Sequence, residues 1–358
     1  MSLQDLDQNW IKQFEKPLVI AGPCSAESEK QVMEIAERMD RNYMQVFRAG
    51  IWKPRTKPGS FEGVGAIGLN WLKRVKDEFK MPIATEVANA SHAKLALEFD
   101  VDYLWIGARS TVNPFTIQEI AESLRDTDKI VLVKNPVNPD LDLWIGALER
   151  LAAQGIKNLG VIHRGFSSHN KSKYRNNPQW QIALELKDRF PNIPILGDPS
   201  HITGRRDLIA EVAQQAFNLE YNGLMVEVHN NPDEAWSDAK QQITPEVLKD
   251  ILVDITLRKK NDNSDDFSAK LNRYRGEIDE LDNQLLGLLA ARMDVAKKIG
   301  NLKKEHNVAI FQPDRWNVLK NLAIRNGERM GLSEDFLEHL LVSIHKESVE
   351  LQNKIMEE

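Results

Sequence analysis

Cysteine is almost absent: the 358-residue chain has one, Cys24. One cysteine cannot close an internal disulfide, so the fold is held without one and a reducing cytoplasm is the expected compartment. No stretch approaches about 18 uninterrupted apolar residues, so no helix is expected to span a membrane. The opening MSLQDLDQNW lacks a basic stretch followed by an apolar run, and no secretory signal is expected. Excess positive charge is missing too. A net charge of −6 excludes a generally basic chain that coats nucleic acid. No strand-like run leads into a GxGxxG turn; Gly63-Val64-Gly65 comes late in a loop, which argues against an open dinucleotide-binding sheet. What remains is the composition of a globular chain, 42% hydrophobic and 28% charged, with a length that suits two domains.

Residues 1–258 alternate between two textures. Eight short runs rich in Val, Ile and Leu, at 17–22, 44–51, 83–87, 103–107, 129–134, 158–163, 194–197 and 223–228, read as buried strands. Amphipathic stretches separate them, such as 28–41 and 63–79, where Ile67, Trp71, Leu72 and Val75 share a helical face. Eight such strand–helix repeats predict an α/β chain folded as a (β/α)8 barrel, with a doubly wound open sheet as the alternative. After 258 the texture changes. Residues 259–265 are polar and read as a linker, and 266–358 carry no strand signal. Phe267, Leu271, Tyr274, Ile278, Leu281, Leu285 and Leu288 recur every three or four residues, and proline is absent from Phe267 until Pro313. A helix over 266–305 would be about 60 Å long. A domain of this size has a radius of gyration near 12 Å, so the helix needs a partner for its stripe, most simply a second copy. Two more helices are expected near 313–327 and 333–355, the last capped by Ser333.

A barrel of this type places its site at the C-terminal ends of the strands. The residues there are Cys24, Lys53, Glu86, Arg109, Lys134, Arg164, His201 and Glu227, all reactive or charged. Cys24, His201, Glu227 and Asp238 offer a sulfur, an imidazole and two carboxylates. That donor set suits a divalent transition metal, Mn, Fe, Co or Zn, rather than calcium or magnesium. Arg48, Lys53, Arg109, Lys134 and Arg164 are cations that would repel one another unless an anion sat among them, and their forks and point charges suit phosphate and carboxylate.

In the helical region the apolar seam predicts an apolar residue at 292, where the chain has Arg292. An arginine in such a stripe points to an anion. Lys303 lies on nearly the same face, whereas Arg275 lies roughly 100° away around the axis and is expected to point elsewhere, toward a neighbouring chain. The bland alternative is a dimerising helix with snorkelling cations.

The segments AGPCS (21–25), RAGIWKPRT (48–56), IGAR (106–109), LVKNP (132–136), HRG (163–165), GDPSH (197–201) and VEVH…SDAKQQ (226–242) resemble 3-deoxy-D-arabino-heptulosonate 7-phosphate (DAHP) synthases of the type I beta group. KPRT separates them from the sister octulosonate 8-phosphate synthases, which usually carry KANRT. The resemblance implies that Cys24, His201, Glu227 and Asp238 bind metal. It also implies that Arg48, Lys53, Arg109, Lys134 and Arg164 hold phosphoenolpyruvate and that Arg55 and Thr56 bind the phosphate of erythrose 4-phosphate. The chemistry of such a condensation makes Lys53 and Glu86 the candidate catalytic residues: Lys53 to deliver a proton or only position charge, Glu86 to orient the attacking water or only pair with the cations. RxxID (275–279), LLxLLAxR (285–292), xxGxxK (298–303), PDR (313–315) and ESVxxQ (347–352) resemble the all-helical chorismate mutases. That resemblance implies that Arg275, from across a dimer, joins Arg292, Lys303, Arg315, Ser348 and Gln352 in binding chorismate and prephenate. Trp316 follows Arg315 where glutamate is frequent, and Gln312 is a further departure. Together the two resemblances imply a homodimeric, bifunctional shikimate-pathway enzyme whose barrel is controlled by ligand bound to the helical domain. A helical domain that only regulates and dimerises is the alternative.

Overall fold

Each of the eight apolar runs forms a strand in the computed structural model, which describes residues 3, 6, 9–53, 59, 61–168, 172–258, 265–311 and 313–357. The strands are β1 (Leu18–Gly22), β2 (Val46–Arg48), β3 (Ile83–Val87), β4 (Tyr103–Ile106), β5 (Ile130–Lys134), β6 (Leu159–His163), β7 (Ile195–Gly197) and β8 (Gly223–Glu227). All neighbours are parallel, and β1 pairs with β8 from Leu18–Gly223 to Gly22–Glu227, so the sheet closes on itself. Closure excludes the open doubly wound sheet. β2 is shorter than its apolar run, because after Arg48 the pairing with the first strand survives only as a bridge between Ser25 and Gly50.

The strands are buried on both faces, and their period of two divides them between two cores. Leu18, Ile20, Val46, Ala84, Trp105, Leu132, Ile162, Leu196 and Met225 fill the barrel. Their neighbours Val19, Phe47, Ile83, Leu104, Val131, Val161, Ile195 and Leu224 pack outward against the helices. A short helix before the first strand, α1 (Asn9–Lys12), was not apparent in the hydrophobic pattern. It brings Trp10 into the inner core, edge-on to Tyr103, with the indole N–H donating to Leu159 O, so the strand-start end of the barrel is plugged.

The outer layer comprises α2 (Glu29–Arg38), α3 (Ile67–Phe79), α4 (Ala90–Glu98), α5 (Ala108–Thr111), α6 (Pro114–Ser123), α7 (Leu141–Ala153), α8 (Trp180–Arg189), α9 (Pro199–Thr203), α10 (Ile209–Asn218) and α11 (Pro245–Asp254). Polar side chains start many of them: Ser28, Asn89, Asn113, Asp140, Asp198 and Thr244 each accept a backbone N–H from the first turn.

The chain divides into two units, Met1–Lys260 and Asn261–Glu358. The second holds three helices, α12 (Asp265–Glu305), α13 (Pro313–Arg329) and α14 (Glu334–Glu357). Ser333 accepts the Phe336 N–H at the start of α14. α12 packs on α14 where Gly300 allows close approach; a Cβ there would stand 3.0 Å from Ile355 and 3.1 Å from Gln352. The rest of the stripe is uncovered within the unit. Phe267, Tyr274, Ile278, Leu281, Leu285, Leu288, Val295, Ile299 and Leu302 are 43% to 69% exposed.

His163 lies in an aromatic nest formed by Trp144, Phe166, Trp180 and Tyr221. Its Nε2 donates to Pro178 O and its Nδ1 accepts the Tyr221 hydroxyl, an arrangement that only the neutral ring can make. Burial pushes the imidazole down to about 4. Between about 6.5 and 4 the unfolded state therefore binds a proton that the folded state refuses, and stability falls as pH drops through that window. Seven of the eight tryptophans precede residue 260, so indole fluorescence reports the barrel. Urea unfolding followed that way is expected to show His163 contributing about 3 kcal/mol of pH dependence between the two limits, a component missing from His163→Gln.

Candidate active site

The inner rows of the barrel continue by twos to the C-terminal end. Ile20 and Gly22, Val46 and Arg48, Ala84 and Glu86, Leu132 and Lys134, Ile162 and Arg164, Leu196 and Asp198, Met225 and Glu227 follow one another on the same face. The strand period thus converts an apolar core into a charged mouth. Loops add Cys24, Lys53 and Asp238, α5 adds Arg109, and α9 adds His201. The glycine of the IGAR segment has a steric reason: a Cβ on Gly107 would lie 2.2 Å from the Glu86 carboxylate. Glu86 is fixed from the next strand by the Trp105 indole, which donates at 3.1 Å.

A cavity of about 260 Å³ opens at this end, lined among others by Lys53, Glu86, Arg109, Lys134, Arg164, Arg175, His201 and Asp238. Four of the five cations expected to bind phosphoenolpyruvate therefore share one space with two of the expected metal ligands. The fifth, Arg48, is buried, pairs with Glu227 at 3.3 Å and lies 4.7 Å from the centre of the Trp105 ring. Its Nε and Nη1 are buried with no hydrogen-bond partner. Burial pushes Arg164 down to about 10, with Arg175 and Arg109 adding to the fall and Asp198 opposing it. Arg55 and Thr56 lie outside the described residues.

The sulfur, imidazole and carboxylates come together as two pairs. Cys24 Sγ is 3.3 Å from Asp238 Oδ2, and His201 Nε2 is 3.6 Å from Glu227 Oε1. Among the described residues no three such groups already converge as tightly as a coordinated ion requires. Cations occupy the donors instead: Lys53 Nζ reaches Cys24 Sγ at 2.9 Å, Arg48 reaches Glu227, and Arg175 reaches Asp238 at 2.8 Å. Burial, then the charge of Glu227, raises the Cys24 thiol to about 12. Burial lowers His201, whose Nδ1 is tied to Asp198, leaving Nε2 as the donor atom. Burial would raise Glu227 and Asp238, yet the surrounding positive charge holds both below the usual carboxylate value. The donor set fits a borderline-soft divalent ion.

A second cavity, of about 280 Å³, lies within the helical unit. It brings together Arg292, Lys303, Arg315, Ser348 and Gln352, five of the six expected chorismate-binding residues. The Arg292 guanidinium donates to the Ser348 hydroxyl at 2.6 Å, and Gln352 Oε1 is buried without a partner. Arg275 is exposed on α12 and does not line this cavity. Gln312 is outside the described residues; Trp316 is in the wall.

Residues 7–260 match the family model described as the DAHP synthetase I family, well over half of the chain. The chain belongs to that family. Residues 274–353 match chorismate mutase type II. The phospho-2-dehydro-3-deoxyheptonate aldolase of Thermotoga maritima is 33% identical over 234 residues, covering 65% of this chain and 67% of that one. The 2-dehydro-3-deoxyphosphooctonate aldolase of Desulfatibacillum aliphaticivorans is 28% identical over 264 residues, covering 66% of this chain and 89% of its own. A crystal structure of the Thermotoga maritima DAHP synthase superimposes with a TM-score of 0.60 at 30% identity, covering 67% of this chain and 68% of that chain. The chain is thus a bifunctional shikimate-pathway enzyme, joining a DAHP synthase domain to a chorismate mutase domain.

Sequence reading passed over several residues in this DAHP synthase site. Asp198 is fully buried and accepts from Lys134 Nζ at 2.8 Å and from the His201 ring at 2.8 Å, so it orients one cation and one imidazole together. Arg175 holds both Asp238 and Gln241, and Gln241 in turn donates to Glu227 at 2.7 Å. Asn176 accepts from Arg164 and donates to His201 O. Only Asp198 left a legible signal, its place two residues after the inward Leu196. Asp198→Asn is expected to leave the barrel folded while lowering the condensation rate about 10- to 100-fold, the usual loss when the group orienting a ligand is removed. Steady-state phosphoenolpyruvate consumption, beside the fluorescence unfolding curve, checks this.

Proposed function

We propose that the barrel condenses phosphoenolpyruvate with erythrose 4-phosphate to DAHP and phosphate. The observation that carries this reading is the single cavity shared by Lys53, Arg109, Lys134, Arg164, His201 and Asp238. The cations, with Arg48, hold the phosphate and carboxylate of phosphoenolpyruvate, and Arg55 and Thr56 take the phosphate of erythrose 4-phosphate. Cys24, His201, Glu227 and Asp238 would hold a divalent transition metal, Mn, Fe, Co or Zn. When bound, such an ion polarises the aldehyde oxygen of erythrose 4-phosphate. C3 of phosphoenolpyruvate attacks the aldehyde carbon, positive charge develops at C2, water adds there and phosphate leaves. Glu86, held by Trp105, orients that water, and Lys53 delivers a proton to the new alkoxide. A reducing cytoplasm keeps the lone thiol available for this role.

EDTA is expected to abolish condensation and Mn²⁺ to restore it. Cys24→Ser is expected to weaken Mn²⁺ binding by about tenfold or more, read by calorimetry apart from activity. A condensation rate untouched by EDTA overturns the metal assignment, and turnover of arabinose 5-phosphate in place of erythrose 4-phosphate overturns the sugar assignment.

For the helical unit we infer rearrangement of chorismate to prephenate, a reaction that uses no acid, base or nucleophile. Arg292, Arg315 and the partner copy's equivalent of Arg275 hold the two carboxylates in the reactive conformation. Lys303 and Gln352 stabilise the charge that develops on the ether oxygen. The exposed stripe of α12 supports a homodimer through this unit, and Arg275, outside the cavity of its own chain, supports a shared site. We further propose that prephenate or chorismate bound here restrains the barrel. Leu281→Glu with Leu285→Glu is expected to give a monomer by sedimentation, without mutase turnover. Added prephenate is expected to slow condensation in the unaltered chain and to leave it unchanged in this variant. An unchanged rate in the unaltered chain removes the control hypothesis, and a variant that stays dimeric removes the seam.

A further inference from the structure

One wall of the mutase cavity is aromatic. His345 and Trp316 stack there with ring centroids 4.1 Å apart and planes 16° from parallel, and both line the cavity that holds Arg292, Lys303 and Arg315. His345 shares a face of α14 with Ser348 and Gln352, at spacings of three and seven residues. Its Nε2 is buried with no hydrogen-bond partner, a costly state unless a ligand completes it. Burial, then the charge of Arg292, lowers the imidazole, so the ring is neutral.

A neutral imidazole brings no charge to the recognition of carboxylates, for which Arg292 and Arg315 already supply it. It pairs well with a hydroxyl, which both donates and accepts, whichever tautomer the ring adopts. A chorismate-class ligand carries two carboxylates and one ring hydroxyl. With tryptophan at 316, the side chain that follows Arg315 carries no carboxylate. We propose that His345, held in plane by Trp316, is the specificity-determining residue that receives the ring hydroxyl of the ligand. This rests on the chorismate reading above and assigns a partner to the one ligand group that the cations leave over.

The test crosses two variants of the full chain with two ligands, chorismate and its analogue lacking the ring hydroxyl, 4-deoxychorismate. His345→Phe keeps the stack and removes the nitrogens. It is expected to lower kcat/KM for chorismate about tenfold and to leave the value for the deoxy analogue within about twofold, so that the preference for the hydroxyl collapses. His345→Gln keeps a polar group of similar reach and is expected to preserve most of that preference. A purely structural role lowers both ligands equally. An unchanged preference in His345→Phe, or a lost one in His345→Gln with its helicity intact, overturns the assignment while the mutase reading stands. If the unaltered chain neither converts chorismate nor binds prephenate by calorimetry, the mutase reading itself falls, and this assignment with it.

Discussion

Positive charges gathered in a water-poor pit need negative partners, and the barrel mouth is arranged around that need. Lys134 is almost fully buried and rests on Asp198; Arg48 is equally buried and rests on Glu227. Each carboxylate serves a second group as well. Asp198 holds the His201 ring, and Glu227 is held by Gln241, which Arg175 engages in turn. The result is a connected network rather than a set of isolated pairs, and such networks strengthen in low dielectric as long as every member is satisfied. Two buried nitrogens of Arg48 mark where satisfaction is incomplete, and burial disfavours the charge of Arg164. Those are the places where an anionic substrate gains most, because it meets donors already stripped of water.

The same arrangement sets the terms for a metal. Three of its four expected donors, Cys24, Glu227 and Asp238, are engaged with Lys53, Arg48 and Arg175, His201 rests on Asp198, and burial raises the Cys24 thiol. An arriving dication would take over the charge that these three side chains supply and displace the thiol proton. Lys53 and Arg48 would then be free to hold an anionic substrate. On the proposed reading, metal and phosphoenolpyruvate would have complementary claims on one set of cations, which is a physical reason for placing both in a single cavity.

The fold was legible because a closed parallel barrel buries both faces of every strand, and that writes eight apolar runs into the sequence. The charged strand ends were legible for the same reason: a Lys or Arg at the end of an inward row has little else to do. Three features were not. Trp10 plugs the barrel from a helix of four residues, too short to show a period. Arg175 and Asn176 come from the long connection between the sixth strand and α8, and what they do depends on partners 63 and 25 residues away along the chain. Asp198 could have been found by counting: it stands two residues after Leu196, as Lys134 stands two after Leu132. Reading strand ends by charge alone favoured the neighbouring His201 and passed over the carboxylate that orients it.

The helical unit obeys the opposite economy. The barrel covers its apolar surface with packed helices and gathers its charge at the mouth, whereas α12 leaves most of its apolar stripe uncovered, from Phe267 to Leu302. Its own α14 covers only the part near Gly300, where the absence of a side chain lets the helices meet. Burying the remainder at about 25 cal/mol per Å² is a far larger driving force than any single charged contact along the helix. Arg292 interrupts the apolar stripe between Leu288 and Val295. It is tolerated because Ser348 accepts from it and because it lines a cavity together with Lys303 and Arg315. On the proposed reading, an apolar residue at 292 would extend the stripe and take a carboxylate-binding group out of the cavity, so the interruption exchanges packing for recognition.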